Sequence, residues 1–139
     1  MSLTSKQIQG DVIRLLEDSP LTNVANGEIY RSEKDRPRDS KMEDIIVIFT
    51  TGNAEQIQEG TITLNVYVPD VDRANDGVLV ENSRRCEELE VAANEWVKSL
   101  TAERSNYKFA LQQVVYTEAE PKINQHFVVV KLKFKILTF

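Results

Sequence analysis

The sequence predicts an α+β fold, in which two main helices pack on one face of a mainly antiparallel sheet of four to five strands. Residues 60–70 alternate apolar and polar side chains with a period of two, which is typical of a half-buried strand. Residues 83–100 repeat apolar side chains every three or four positions, which is typical of an amphipathic helix. A second alternating segment covers residues 127–139. These three segments supply most of the expected core.

The strand over residues 60–70 is the strongest structural signal in the chain. Its apolar face consists of Ile62, Leu64, Val66 and Val68. Pro69 ends the strand because proline has no N–H to donate to a continuing ladder. The preceding apolar run over residues 45–50 is rich in β-branched side chains and predicts a central strand covered on both faces. Because a short polar link joins the two strands, we expect them to form an antiparallel hairpin.

Two segments have the apolar stripe of a helix. The first covers residues 4–18 and ends before Pro20, which disfavours helical geometry in the residue preceding it. The second covers residues 83–100, with Trp96 expected as the largest core side chain. The opposite side of this second helix is acidic and carries Glu87, Glu88 and Glu95.

The C-terminal part of the chain predicts a final pair of strands. Residues 107–117 are expected to form one strand, and a turn containing Pro121 follows. Residues 127–139 then alternate so that Lys131, Lys133 and Lys135 face away from the apolar side chains. Such a row of lysines either contacts a partner or protects an edge strand from aggregation.

Composition and charge narrow the class of protein. We expect residues 1–139 to form one domain, with 41% hydrophobic and 28% charged residues. Residues 1–100 contain 19 acidic and 11 basic groups, a charge of −8, whereas residues 101–139 contain 3 acidic and 6 basic groups, a charge of +3. An acidic body argues against sequence-specific nucleic-acid binding, which requires a dominant basic surface. The uneven charge is compatible with self-association between unlike faces.

The sequence contains no pattern for a membrane span, a secretion signal or a disulfide framework. No apolar run approaches the roughly 18 residues that a membrane helix requires. No signal-peptide pattern begins the chain, and there is a single cysteine, Cys86. We therefore expect a protein of a reducing compartment that acts away from membranes.

Two long polar segments are predicted as loops. Residues 31–44 contain five basic and five acidic side chains, and they are too polar to fold alone. We expect this segment either to remain a solvated loop or to become ordered on a partner. Residues 69–82 form the second loop, which includes Asp70 and Asp72.

Three patterns in the sequence partly match catalytic or metal sites. Asp70, Asp72 and Glu81 have the spacing of some calcium-loop ligands, but Asn75 occupies the position that requires glycine. Asp70 with Glu120 and Lys122 partly matches a metal-dependent nuclease signature, although a proline separates the last two. Cys86 lies on an apolar helix stripe, where a thiol is usually inert. We expect no catalytic residue, metal ligand or cofactor.

The order of elements and several short motifs resemble the tail-completion and tail-terminator (head–tail joining) proteins of double-stranded DNA phages. The shared features are a first helix ending in LLEDSPL (residues 15–21), GEIY (27–30), a variable loop with Arg36-Pro37, the strand pair 45–50 and 60–68, and a helix that begins at Asn82-Ser83 and ends in WVKSL (96–100). The resemblance covers nearly the whole chain and consists of elements rather than an invariant chemical signature.

The resemblance implies a non-enzymatic morphogenesis protein of a phage or prophage. Members of that family assemble as a ring, commonly hexameric, at the head-proximal end of the tail. The resemblance therefore implies the virion tail as location, assembly in the cytoplasm of the bacterial host, and as partners other copies of the chain and other tail or head–tail proteins. A generic oligomeric protein-binding domain and a metal-dependent nuclease remain as alternatives.

A ring requires a heterologous interface, in which one patch of a subunit meets a different patch of the next. We expect the two long loops and the lysine-bearing strand to contribute, with the acidic helix face and the lysines as candidate opposites. The candidate interface residues are Arg31, Lys34, Arg36, Arg38, Asp70, Asp72, Glu87, Glu88, Glu95, Lys131, Lys133 and Lys135.

Overall fold

The described residues form three α-helices and a six-stranded, mainly antiparallel sheet. The computed structural model describes residues 2–100 and 106–137. The elements in chain order are α1 Ser5–Leu16, α2 Pro20–Val24, β1 Ile29–Tyr30, β2 Ile45–Gly52, β3 Ile57–Pro69, α3 Ser83–Leu100, β4 Tyr107–Leu111, β5 Tyr116–Glu120 and β6 Gln125–Leu137. The strand order is β1-β2-β3-β6-β4, and β5 also pairs with β6.

Strands β3 and β6 are the long central pair of the sheet. They pair antiparallel over their full lengths, from Ile57 opposite Leu137 to Pro69 opposite Gln125. The predicted hairpin between β2 and β3 is confirmed, because these strands also pair antiparallel. Gly60 is required in this hairpin: a Cβ atom there would lie 2.0 Å from the carbonyl oxygen of Thr51. The last two residues of the predicted final strand lie outside the described residues.

The helices pack against one side of this sheet. The four predicted apolar residues of β3 are all buried, in one cluster with the stripes of α1 and α3. Trp96 is fully buried and donates its indole N–H to the carbonyl oxygen of Leu15, 3.1 Å away. This bond satisfies the one polar atom of the largest core side chain and joins α3 to α1.

The predicted α+β class and the mainly antiparallel sheet are confirmed, but the predicted number of strands is too low. Residues 107–117 were expected to form one strand, whereas β4 and β5 are separate and pair with different parts of β6. Gln112 still donates its backbone N–H to the Lys131 carbonyl of β6, and residues 113–115 then interrupt the pairing, which explains the poor alternation of this segment. The sheet is mixed rather than purely antiparallel because β1 pairs parallel with β2.

Residues 31–44, predicted as a loop that is solvated or ordered on a partner, are partly buried against the sheet of their own subunit. A 3₁₀ turn occupies Glu33–Asp35, and Arg36 is buried behind the sheet. The Arg36 guanidinium lies 4.2 Å above the ring centre of Tyr67, on the side of β3 that faces away from the helices. The segment thus covers the Pro69 end of this second face of the sheet, while the opposite end stays open.

Candidate assembly interface

The open end of the second sheet face carries four lysines, which we call the lysine face: Lys108, Lys131, Lys133 and Lys135. The β6 lysines alternate with buried Val130, Leu132 and Phe134, as predicted. Lys108 of β4 lies directly opposite Lys135 in the ladder, so both side chains project from the same face. Lys108 was missed in the sequence because β4 is short and lies beside residues with no clear alternation.

The lysine face is only partly neutralised within the subunit. Lys135 forms an exposed ion pair with Glu59, at 3.7 Å, and Lys131 lies 5.8 Å from the ring centre of Tyr116. Like charges directly opposite each other on neighbouring strands destabilise a sheet. The Lys108–Lys135 pairing is therefore unfavourable, Glu59 on the other side of Lys135 offsets part of the repulsion, and an acidic partner would reduce it further.

A shallow concavity of about 700 Å³, which we call the lysine concavity, occupies this end of the sheet. Its lining comes from four contiguous stretches: residues 51–53 and 59–61 of the β2–β3 hairpin, residues 108–110 of β4 and residues 133–135 of β6. Three lysines and the exposed Ala110 belong to it. Aliphatic lysine stems beside charged ends suit a ligand that is both apolar and acidic.

The acidic side of α3 lies in the helical layer, across the sheet from the lysine face. Glu87, Glu88 and Glu95 are exposed, as predicted. Glu88 is shared between Arg84 at 3.6 Å and Arg85 at 2.8 Å, and Glu95 lies 3.8 Å from Lys98. Glu87 has no ion-pair partner among the described residues. At least part of this acidic surface is thus available to a partner.

An apolar groove runs beside these glutamates. It has a volume of about 380 Å³ and lies between α2 and α3, where it is lined by Val24, Glu87, Glu88 and Val91. Val91 is 54% exposed and Val24 is 37% exposed. The acidic side of α3 therefore has an apolar centre with a charged edge, the usual arrangement of a protein–protein contact.

The basic candidates of residues 31–44 separate into buried and exposed groups. Lys34 and Arg38 are exposed, and Arg31 donates a 3.1 Å hydrogen bond to the side chain of Gln9. Arg36 is not an exposed contact, which corrects its selection as an interface residue. Its guanidinium is held by Asp44 at 2.8 Å and by Gln125 at 3.0 Å, so it attaches the loop to the sheet.

Asp70 and Asp72 organise the second loop. The Asp70 carboxylate lies 2.7 Å from Nδ1 of His126, and its side chain is only 10% exposed. The Asp72 carboxylate accepts hydrogen bonds from the backbone N–H groups of Asp76 and Gly77, at 3.0 and 2.9 Å. Both residues therefore stabilise the short hairpin that this loop forms.

That hairpin presents three apolar residues that sequence reasoning did not select. Val78, Leu79 and Val80 are 59%, 46% and 42% exposed. Their signal in the sequence is a run of three apolar residues within a polar loop, directly after Gly77. Contiguous exposed apolar side chains of this kind mark contact surfaces more often than isolated ones do.

Some of the residues considered for metal binding lie near one another, because His126 is 2.7 Å from Asp70 and 4.0 Å from Glu81. Within residues 2–100 and 106–137, no group of three or more His, Cys, Asp or Glu side chains could hold a metal ion. Glu120 borders a separate surface with Arg36 and Tyr67, while Asp70 contacts His126. Burial, together with the nearby Glu81 and Glu90 carboxylates, raises the pKa of the Cys86 thiol to about 11.

No protein-family model matches the chain, and no curated protein matches it at a significant level. None of the helices within the described part of the chain is both long and apolar enough to cross a membrane.

Proposed function

We propose that this protein is a non-enzymatic, ring-forming subunit of phage or prophage tail morphogenesis, acting as a tail terminator or a head–tail joining protein. One observation carries the proposal: the subunit has a basic surface on the open sheet face and an acidic surface on the outer side of α3. Unlike surfaces on opposite layers of one subunit favour head-to-tail contact. Such a contact closes into a ring when the rotation between subunits permits.

The proposed contact places the acidic side of α3 against the lysine face of the next copy. Glu87, Glu88 and Glu95 would then meet Lys131, Lys133 and Lys135, while Val24 and Val91 supply an apolar centre. This pairing would relieve the repulsion between Lys108 and Lys135. The resemblance to tail-completion proteins supplies the biological setting: the virion tail, assembled in the bacterial cytoplasm with other tail or head–tail proteins.

Native mass spectrometry across a concentration series tests self-assembly directly. We expect a closed oligomer that weakens at higher salt, because charge pairs between exposed groups are screened. A protein that stays monomeric at every concentration and salt tested would contradict the proposal.

Paired charge reversal tests the contact. The variant Lys131→Glu/Lys133→Glu/Lys135→Glu and the variant Glu87→Lys/Glu88→Lys/Glu95→Lys should each fail to assemble alone, because like charges then meet. Mixed in equal amounts, they should assemble in alternation, because every contact again joins unlike charges. Circular dichroism of each variant checks that the fold is retained. Assembly of either variant alone at the wild-type concentration would refute the pairing.

A further inference from the structure

A second acidic element lies at the opposite end of β3 from the lysine concavity. Residues 70–81 form a hairpin closed by two backbone hydrogen bonds between Val71 and Val80, at 2.8 and 2.9 Å. The hydrogen bonds that the Asp72 carboxylate accepts stabilise the turn of this hairpin, and Gly77 adopts a positive φ of +84° there. His126 holds its base through Asp70. The hairpin is therefore an ordered projection with its own supports.

The hairpin combines an apolar edge with net negative charge. Val78, Leu79 and Val80 follow one another and are all exposed. Asp72 and Asp76 are exposed acidic groups of the same hairpin, against one basic group, Arg73. Three solvent-exposed aliphatic residues on a supported loop gain stability when a partner covers them.

The lysine concavity has the complementary properties. Lys108, Lys133 and Lys135 give it positive charge against a single carboxylate, Glu59. The concavity is shallow, with a volume of about 700 Å³, so side chains of a partner would lie on it rather than be enclosed by it. Aliphatic side chains suit the lysine stems of this surface, and acidic groups suit its charge.

The hairpin cannot reach the concavity of its own subunit. Thr61 lines the concavity, and Pro69 directly precedes the hairpin, so seven residues of extended strand lie between them and about 26 Å separates them. The two surfaces can meet only between different copies of the chain. Their positions at opposite ends of one rigid strand make this contact head-to-tail.

We propose that the hairpin of one copy places Val78, Leu79 and Val80 on the lysine concavity of the next copy. The inference rests on the self-assembly proposed above and identifies a second part of the same contact: the hairpin would lie among the lysine stems of the concavity, and the glutamates of α3 would meet the charged ends of the lysines. Only Glu81 and Asn82 separate the hairpin strand from the start of α3. Arg84 and Arg85 lie in the first turn of α3, and the exposed Glu87 and Glu88 follow in the next turn. The hairpin therefore lies close in sequence to the glutamates of α3 that are proposed to meet the basic face of the neighbour.

Site-directed cross-linking between two variants tests this contact. Leu79→Cys and Ala110→Cys are made separately, mixed at a concentration where the protein is oligomeric, and oxidised mildly. A disulfide-linked dimer should form in the mixture and not in either variant alone. Leu79→Cys mixed with Val114→Cys is the matched control, because Val114 is 76% exposed but does not line the concavity.

A second variant measures the contribution of the apolar residues. Val78→Ser/Leu79→Ser should raise the concentration for half-assembly about tenfold or more, since buried aliphatic anchors contribute strongly to an interface. Two results would overturn the hairpin contact while leaving ring formation intact. One is that the protein assembles but the specific cross-link does not form. The other is that the serine variant has the same half-assembly concentration as the wild type. A wild type that never assembles would overturn both proposals.

Discussion

Arg36 and Asp44 form a buried ion pair, with Nε of Arg36 2.8 Å from Oδ2 of Asp44. The remaining donors of Arg36 reach Gln125 of β6 and the carbonyl oxygen of Met42. Asp44 also accepts hydrogen bonds from the Ser40 hydroxyl, at 2.6 Å, and from the Glu28 N–H, at 2.9 Å. A polar loop is thereby attached to the sheet through charge-assisted hydrogen bonds rather than apolar burial.

The first prediction concerns this ion pair. Arg36→Met should lower the free energy of unfolding by about 3–5 kcal/mol, because it leaves the Asp44 carboxylate buried without its charged partner. Urea unfolding followed by tryptophan fluorescence measures the loss. Arg38→Met is the matched control: Arg38 is exposed, so a change within about 0.5 kcal/mol is expected. Equal midpoints for the two variants would show that the pair does not hold the loop.

The second prediction concerns acid stability. Burial raises the pKa of Asp44, but hydrogen bonds from Ser40, Glu28 and Arg36, together with the charge of Arg36, outweigh burial and lower this pKa below 3.8. Because the folded-state pKa lies below the unfolded one, the stabilisation is fully present above about pH 5 and is lost as the pH falls through the folded-state pKa.

The measurement is the unfolding free energy of wild type and Asp44→Asn between about pH 7 and pH 2. The difference between them should be constant near neutral pH and shrink below about pH 4. Asp39→Asn, at an exposed position of the same loop, serves as control. A difference that grows on acidification would contradict the assignment.

The third prediction compares two glycines with opposite outcomes. Gly60→Ala should destabilise the protein by about 3 kcal/mol, because the new methyl group collides with the Thr51 carbonyl and with Cα of Gly52, 2.7 Å away. Gly10→Ala should instead stabilise α1 by up to about 1 kcal/mol. Its nearest neighbour is the movable end of Arg31, at 3.1 Å. Thermal unfolding of both variants is the measurement: the midpoint temperature should fall for Gly60→Ala and rise for Gly10→Ala. A shift in the same direction for both variants would contradict this prediction.

The fourth prediction concerns the thiol of Cys86. Its pKa is raised from 9.0 to about 11, so the thiolate fraction at pH 8 is about 100-fold smaller than that of an ordinary cysteine. Labelling with a chromogenic disulfide should therefore be at least about 100-fold slower in buffer than in urea. Cys86→Ser gives the background, since the chain has one cysteine. Rapid labelling of the folded protein would contradict its burial.

The long periodic segments were predictable from the sequence because their burial follows from local spacing. Helix α3 has the predicted bounds, Ser83–Leu100, and β3 buries the four predicted residues. The split between β4 and β5 was not predictable, since their pairing depends on which part of β6 each strand reaches. Among the site residues, the shared face of the β6 lysines was predictable from the alternation of the strand. That Lys108 lies on the same face depends on the pairing of β4 with β6.

The sequence by itself determined the α+β class, the helix-facing side of the long strands, and the separation of acidic and basic residues along the chain. Periods of 2 and 3.6 residues are local geometric properties, so they can be read without coordinates. Only the tertiary structure decided that Arg36 is buried, that Lys108 faces Lys135, and that the apolar hairpin and the lysine concavity lie at opposite ends of β3. These relationships involve residues that are distant in sequence. Their positions relative to one another are fixed only when the chain packs into its folded structure.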